Sequence, residues 1–146
     1  MLHLTHTALH KLKVHAMRSS PEECCGMVLG TEAGDTRRAC DILEAHNAGI
    51  ELRERRYHIL PEEYRRAEAF AARHGVQILG LYHSHPNHPA EPSLLDLEYA
   101  LPWFSYIIVA VEKGIPSAVR SWRLREDRSH FDEERLETIL GECVHG

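Results

Sequence analysis

Cysteine is scarce in this sequence. The four that occur are irregularly spaced, with Cys24 and Cys25 adjacent and no C-x-x-C pair. That excludes a disulfide framework and predicts reduced, mostly buried thiols of the cytosolic kind. Long apolar runs are missing too. None reaches the roughly 18 residues that cross a bilayer, so no membrane association is expected. The first twenty residues, "MLHLTHTALHKLKVHAMRSS", lack an apolar segment of the secretory type, which leaves a cytoplasmic protein as the expectation. Positive charge is in deficit. Seventeen Lys and Arg face 22 Asp and Glu, for a net charge of -5, where a nucleic-acid binder would show a basic patch or stripe. The one local basic stretch, "LRERRY" at 52–57, reads as a solvated edge. Repeats, low-complexity segments and linkers are absent, so residues 1–146 are read as one domain. Its 43% hydrophobic and 27% charged residues are those of an ordinary globular chain. Histidine is frequent for this length, with twelve copies scattered along the chain, so composition alone does not locate a site.

The order of elements can be read from the pattern. "LHL" predicts a short first strand, and Thr5 a cap for a helix through about Arg18, with Leu9, Leu12 and Met17 partly on one face. "CCGMVLGTEAGDTRRACDILEAHN" predicts two strands joined by a turn at Ala33-Gly34-Asp35, and "RRYHIL" a further strand. Pro61 opens a strong helix that ends at Gly75. "VQILGLYHSH" is a nearly continuous apolar strand of the kind found at a sheet centre. "PSLLDLEYAL" predicts a short helix, "SYIIVAVE" and "PSAVRSWRLR" a pair of strands around Lys113-Gly114, and the tail "FDEERLETILGE" a last strand residue followed by a helix. Interleaved strands and helices imply a mixed α/β fold, a central mixed sheet with helices packed on it.

The chemistry is concentrated in residues 83–96. On a strand, positions i and i+2 share a face, so His83 and His85 leave the sheet together while Ser84 points the other way. Pro86, Pro89 and Pro92 end the strand. If a helix starts near Ser93, then Ser93 and Asp96 share its first turn. Two histidines and a carboxylate form a zinc-type ligand set, with a fourth position left for water as in catalytic sites. S-x-x-D before an apolar run is also the pattern of a capping box, and both readings stand at this point. His88 reads as exposed. So do His6 and His10, which share a helix face but lack a third ligand nearby.

H83-S-H85-P, seven residues from His85 to Ser93, and then S93-L-L-D96 resemble the full signature of the JAMM/MPN+ metallopeptidases. The resemblance runs from about Thr5 through "SAVRSWRL", and the flanking segments look most like small bacterial members linked to sulfur-carrier proteins and cysteine synthesis. It implies an MPN/JAB-like (cytidine-deaminase-like) architecture, with zinc held by His83, His85 and Asp96. It also implies a glutamate upstream. "SSPEECCGMVLG" matches that segment with Glu23 as the general acid/base and Glu22 as fallback. Ser93 would donate to the oxyanion, and Cys24 and Cys25 would take no part. The substrate implied is a ubiquitin-like or sulfur-carrier protein ending in Gly-Gly, cleaved after that tail to release cysteine or another small adduct. An isopeptide conjugate to lysine is the related alternative. The Gly-Gly tail could add as a strand along "NAGIELRERRYHIL", where Arg53, Arg55 and Arg56 could meet acidic groups, and the loop 46–56 could cover the site. Members that have lost metal ligands serve only as scaffolds, whereas here every signature residue is present.

Overall fold

The computed structural model describes residues 1–47 and 59–141. Among these residues, eight strands form one mixed sheet: β1 (Leu2–Thr5), β2 (Cys25–Ala33), β3 (Thr36–Ala45), β4 (Gln77–Pro86), β5 (Ser105–Glu112), β6 (Ile115–Leu124), β7 (Phe131–Glu134) and β8 (Leu136–Ile139). Three helices accompany it: α1 (His6–Ser19), α2 (Pro61–Arg73) and α3 (Leu94–Tyr99). The expected mixed α/β fold is what forms.

The strand order is β7-β6-β5-β4-β2-β3-β1-β8. β7 and β8 therefore lie at opposite ends of the sheet, yet only Arg135 separates them in the chain. The sheet must curl until its two edges nearly meet, and the Leu2 amide donates to the Arg135 carbonyl at the seam. α1 occupies the concave side, packing on β1, β3, β5, β6 and β8. Its N-cap is Thr5, whose side chain accepts from the Ala8 amide. Its buried face is Ala8, Leu12, His15 and Ala16, at helical spacing. Leu12 belongs to this face as expected, but Met17 is 49% exposed, because the sheet curls around the small alanines instead. α2 packs on the other face, over Cys25, Met27 and Leu29.

The tail differs from the sequence expectation. Residues 131–139 are not a helix but the two strands β7 and β8. "FDEERLETI" carries enough Glu and Leu to suit a helix locally, but pairing with β6 and with β1 overrides that weak preference. Of the predicted strand "RRYHIL", residues 55–58 lie outside the described residues, and Ile59 and Leu60 lead into α2 without strand pairing. Cys24 and Cys25 are free and buried as expected. Cys40 is disulfide-bonded, against the expectation of reduced thiols, since spacing along the chain says nothing about which cysteines meet in space. Among the described residues, no helix is long and apolar enough to cross a membrane.

A buried polar chain crosses the concave side. Arg37 on β3 donates to Ser105 on β5 and to the Leu79 carbonyl on β4. Ser105 in turn donates to Glu134 on β7 at 2.7 Å, and Ser121 on β6 donates to the same oxygen at 2.9 Å. Removing one charged member of a buried network strands the others, which typically costs about 3–5 kcal/mol. Glu134→Ala is expected to destabilise the fold on that scale in urea unfolding. A loss below about 1 kcal/mol, the scale of an exposed ion pair, would show that the network does not close the sheet.

Candidate metal centre

The site is built at the end of β4, and a local irregularity aims it. Val28 of β2 lies opposite Gly80, whereas Leu29 lies opposite Ile78, so Leu79 is an extra residue on β4. Leu79 and Tyr82 both face the α1 side, while Ile78 and Leu81 face the other. The bulge thus shifts the alternation by one and sends His83 and His85 to the face opposite α1. Gly80 is required beside it, because a Cβ there would lie 1.8 Å from the Ser105 carbonyl oxygen.

His83 and His85 bring their Nε2 atoms to 2.9 Å of each other, both side chains being buried. Asp96 reaches both rings, with Oδ1 3.3 Å from His83 Nε2 and Oδ2 3.5 Å from His85 Nε2. The Pro89 carbonyl lies 2.9 Å from His85 Nδ1. A carbonyl only accepts, so Nδ1 carries the proton and Nε2 presents its lone pair to the cluster. The loop between strand and helix is fastened to β5: Asn87, at φ 57°, donates its amide to the Val111 carbonyl. Its side-chain oxygen accepts from the Lys113 amide.

Ser93 and Asp96 form the capping box, and the Asp96 carboxylate also reaches the histidines. Ser93 caps α3 by accepting from the Asp96 amide at 3.1 Å, and Asp96 Oδ2 accepts from the Ser93 amide at 2.8 Å. The capping box pins the carboxylate while its oxygens still face the histidines. Glu23, just before β2, is 4% exposed and comes within 4.8 Å of both histidine ligand atoms. Glu22 is exposed. Pairing of β2 with β4, with Cys25 opposite His83, closes the 60-residue gap between Glu23 and His83. His6, His10 and His88 are exposed.

The donors fit a tetrahedral metal. Ligands about 2.0–2.1 Å from zinc at tetrahedral angles stand about 3.3 Å apart, close to the three separations here. The electrostatics of the metal-free cluster differ between the two rings. Burial alone would raise Asp96, but His83, His85 and the Ser93 amide outweigh it and hold the carboxyl well below the usual carboxylate range. Burial lowers His83, which favours the neutral, ligating ring. Burial also opposes charge on His85, but Asp96 and the Pro89 carbonyl raise it. Burial, with a smaller contribution from Asp96, pushes Glu23 up to about 8.

The Glu23 shift predicts a pH dependence for metal-free protein. Its folded pKa lies above its ordinary 4.5, so folding favours the protonated form. The stability from Glu23 is full below about pH 4.5 and is lost as pH rises through about 8. In chelator-treated protein, Glu23→Gln should therefore gain stability over wild type as pH rises from 5 to 9, read by urea unfolding. Parallel curves would mean that Glu23 is solvated.

Fold and cluster together define the class, a JAB/MPN-type α/β domain with a histidine–carboxylate group able to hold a metal ion. The chain belongs to the family described as prokaryotic homologs of the JAB domain, which matches residues 5–125. It is 26% identical over 112 residues, 77% of this chain and 72% of the other, to a probable TtuB-protein conjugate cleaving protease of Thermus thermophilus. It is 29% identical over 96 residues to tail tip assembly protein K of Escherichia phage N15, a match spanning 63% of this chain and only 35% of the phage protein. A solution structure from Desulfitobacterium hafniense superposes with TM-score 0.81 at 31% identity, over 97% of this chain and 94% of that one. A JAB1/MPN domain protein from Archaeoglobus fulgidus shares the fold at TM-score 0.60 and 17% identity, covering 93% of this chain and 97% of its own.

Two contributions to the site carried no sequence signal. The Pro89 carbonyl that orients His85 is backbone. Ser84 stood out only as the residue facing away, yet it accepts from the Cys24 amide at 2.8 Å and so ties the Glu23 segment to β4.

Proposed function

We propose that the protein is a zinc-dependent peptidase. It hydrolyses the amide bond after the C-terminal Gly-Gly of a ubiquitin-like or sulfur-carrier protein and releases cysteine or another small amino-acid adduct. The observation that carries this reading is the 2.9–3.5 Å spacing of His83, His85 and Asp96, with buried Glu23 beside them. His83, His85 and Asp96 would hold the metal, and the domain would comprise the whole chain of 146 residues. A zinc ion in such a site supplies Lewis acidity and makes water a usable nucleophile near neutral pH.

The protein's own groups do the rest. Glu23 takes a proton from the attacking water and returns it to the leaving amine as the carbonyl carbon gains oxygen and loses nitrogen. Its burial raises its affinity for protons above that of an exposed carboxylate, the direction a group with both duties requires. Ser93 Oγ already accepts from the Asp96 amide, so its own proton is available to an oxyanion. The products are a free carboxylate on the carrier and an amine.

The relative from Thermus thermophilus, named for cleaving protein conjugates, supports a second reading in which the amine belongs to a lysine of a conjugated protein. Intact mass spectrometry of a Gly-Gly carrier extended by one cysteine, incubated with zinc-loaded protein, separates the two. Loss of one cysteine is the expected result. An unchanged adduct alongside a cleaved lysine conjugate would replace the first reading with the second, and failure on both would leave a scaffold.

A further inference from the structure

We infer that Asn47 is a positioning residue for Glu23, acting with Ser84 through the single peptide unit that follows the glutamate. The inference rests on the general acid/base role proposed above. The carbonyl of that unit belongs to Glu23 and accepts from Asn47 Nδ2 at 3.1 Å. Its N–H belongs to Cys24 and donates to Ser84 Oγ at 2.8 Å. The sheet ladder begins only one residue later, with Cys25 opposite Ala45 on one side and His83 on the other. Both polar ends of the Glu23–Cys24 peptide are thus held by side chains from two separate parts of the fold.

The consequence is geometric. Holding this peptide plane places the Cα of Glu23, the point from which its side chain starts, and limits how far the residue can shift relative to the histidines. Ser84 lies between His83 and His85 in the chain, so its grip sets Glu23 relative to the strand that carries them. The Ser84 amide also donates to the Cys24 carbonyl at 3.1 Å, a second tie to the same strand. Asn47 holds the opposite side. It follows β3, and the neighbouring His46 amide donates to Glu63 in the first turn of α2 at 2.9 Å. Glu23 is therefore braced between β4 and the β3–α2 junction. A general base displaced by about an ångström can lose on the order of 100-fold in rate without any loss of binding.

Asn47→Ala and Asn47→Asp test this, the second preserving shape while removing the donor. With the zinc-loaded protein and a carrier–cysteine substrate, kcat is expected to fall about 10- to 100-fold in both variants. KM and zinc affinity, measured by chelator competition, should stay within about threefold. The deciding readout is the double variant with Glu23→Gln. If Asn47 acts through Glu23, its replacement has little further effect on residual activity there. An equal loss in both backgrounds, a change confined to KM, or an unchanged kcat would overturn the inference. If wild type cleaves no carrier substrate, the functional proposal fails separately. The inference is then decided by the 13C resonance of the Glu23 carboxyl, which should move or broaden in Asn47→Asp. An unshifted resonance in the folded variant would overturn it.

Discussion

Replacing Glu23 by glutamine is expected to lower kcat on a Gly-Gly substrate by about 10²–10⁴-fold, the usual worth of a positioned general acid/base. At 25 °C that range corresponds to roughly 3–5 kcal/mol of transition-state stabilisation. Glutamine keeps the shape of the side chain and its place beside the histidines, but it cannot pick up and return a proton at neutral pH. Because the proposed zinc ligands are His83, His85 and Asp96, the variant should retain stoichiometric metal and near-normal KM. Steady-state kinetics together with metal analysis check this. Retention of more than about a tenth of wild-type kcat would remove Glu23 from the mechanism, and loss of zinc would make it a ligand instead.

Asp96→Ala should have the largest effect on the metal. The change removes one of three proposed ligands and one half of the capping box that starts α3. Altering groups that merely orient ligands typically costs about 10–100-fold in metal affinity, so loss of a ligand should exceed about 100-fold. The six-residue α3 would also lose a cap, for about 1 kcal/mol of local stability. Asp96→Asn separates the two effects. Its amide oxygen can still accept from the Ser93 amide, so the helix start survives while the charge on the metal side is gone. Chelator competition should then show weakened zinc binding in both variants, with the larger loss of stability in alanine. Unchanged affinity in Asp96→Ala would mean that the metal, if bound, sits elsewhere.

How much of this was legible in the sequence depended on whether the deciding interaction was local. His83 and His85 were correctly placed on one face, because no irregularity lies between them. Which face that would be was not readable, since it depends on the extra residue Leu79, and "QILGLY" looks the same with or without a bulge. Ser93 and Asp96 offered two readings, of which the capping box is seen directly and the carboxylate's place beside the histidines leaves room for the other. The proximity of Glu23 to the cluster rested on the family resemblance alone. Spacing cannot show that an antiparallel partner strand will carry it across the gap. The tail was misread for the same reason in reverse: its own preferences favoured a helix, and only the edges of β6 and β1 made it two strands. Cys40 is the remaining case, as its disulfide depends on contacts that its chain neighbours do not announce.

The meeting of β1 with β8 has a consequence for how the protein is made. Residues 2–5 pair on one side with β3 and on the other only with 136–139, far along the chain. A chain emerging from the ribosome can pair β2 with β3 and one side of β1 with β3 early, but the other side of β1 stays unpaired until residues 136–139 emerge. Contacts so distant along the chain make for slow folding and a long exposure of apolar surface. Deleting residues 131–139 would therefore leave the first strand half-paired and the Arg37–Ser105 pair without Glu134, and the nascent protein prone to aggregate.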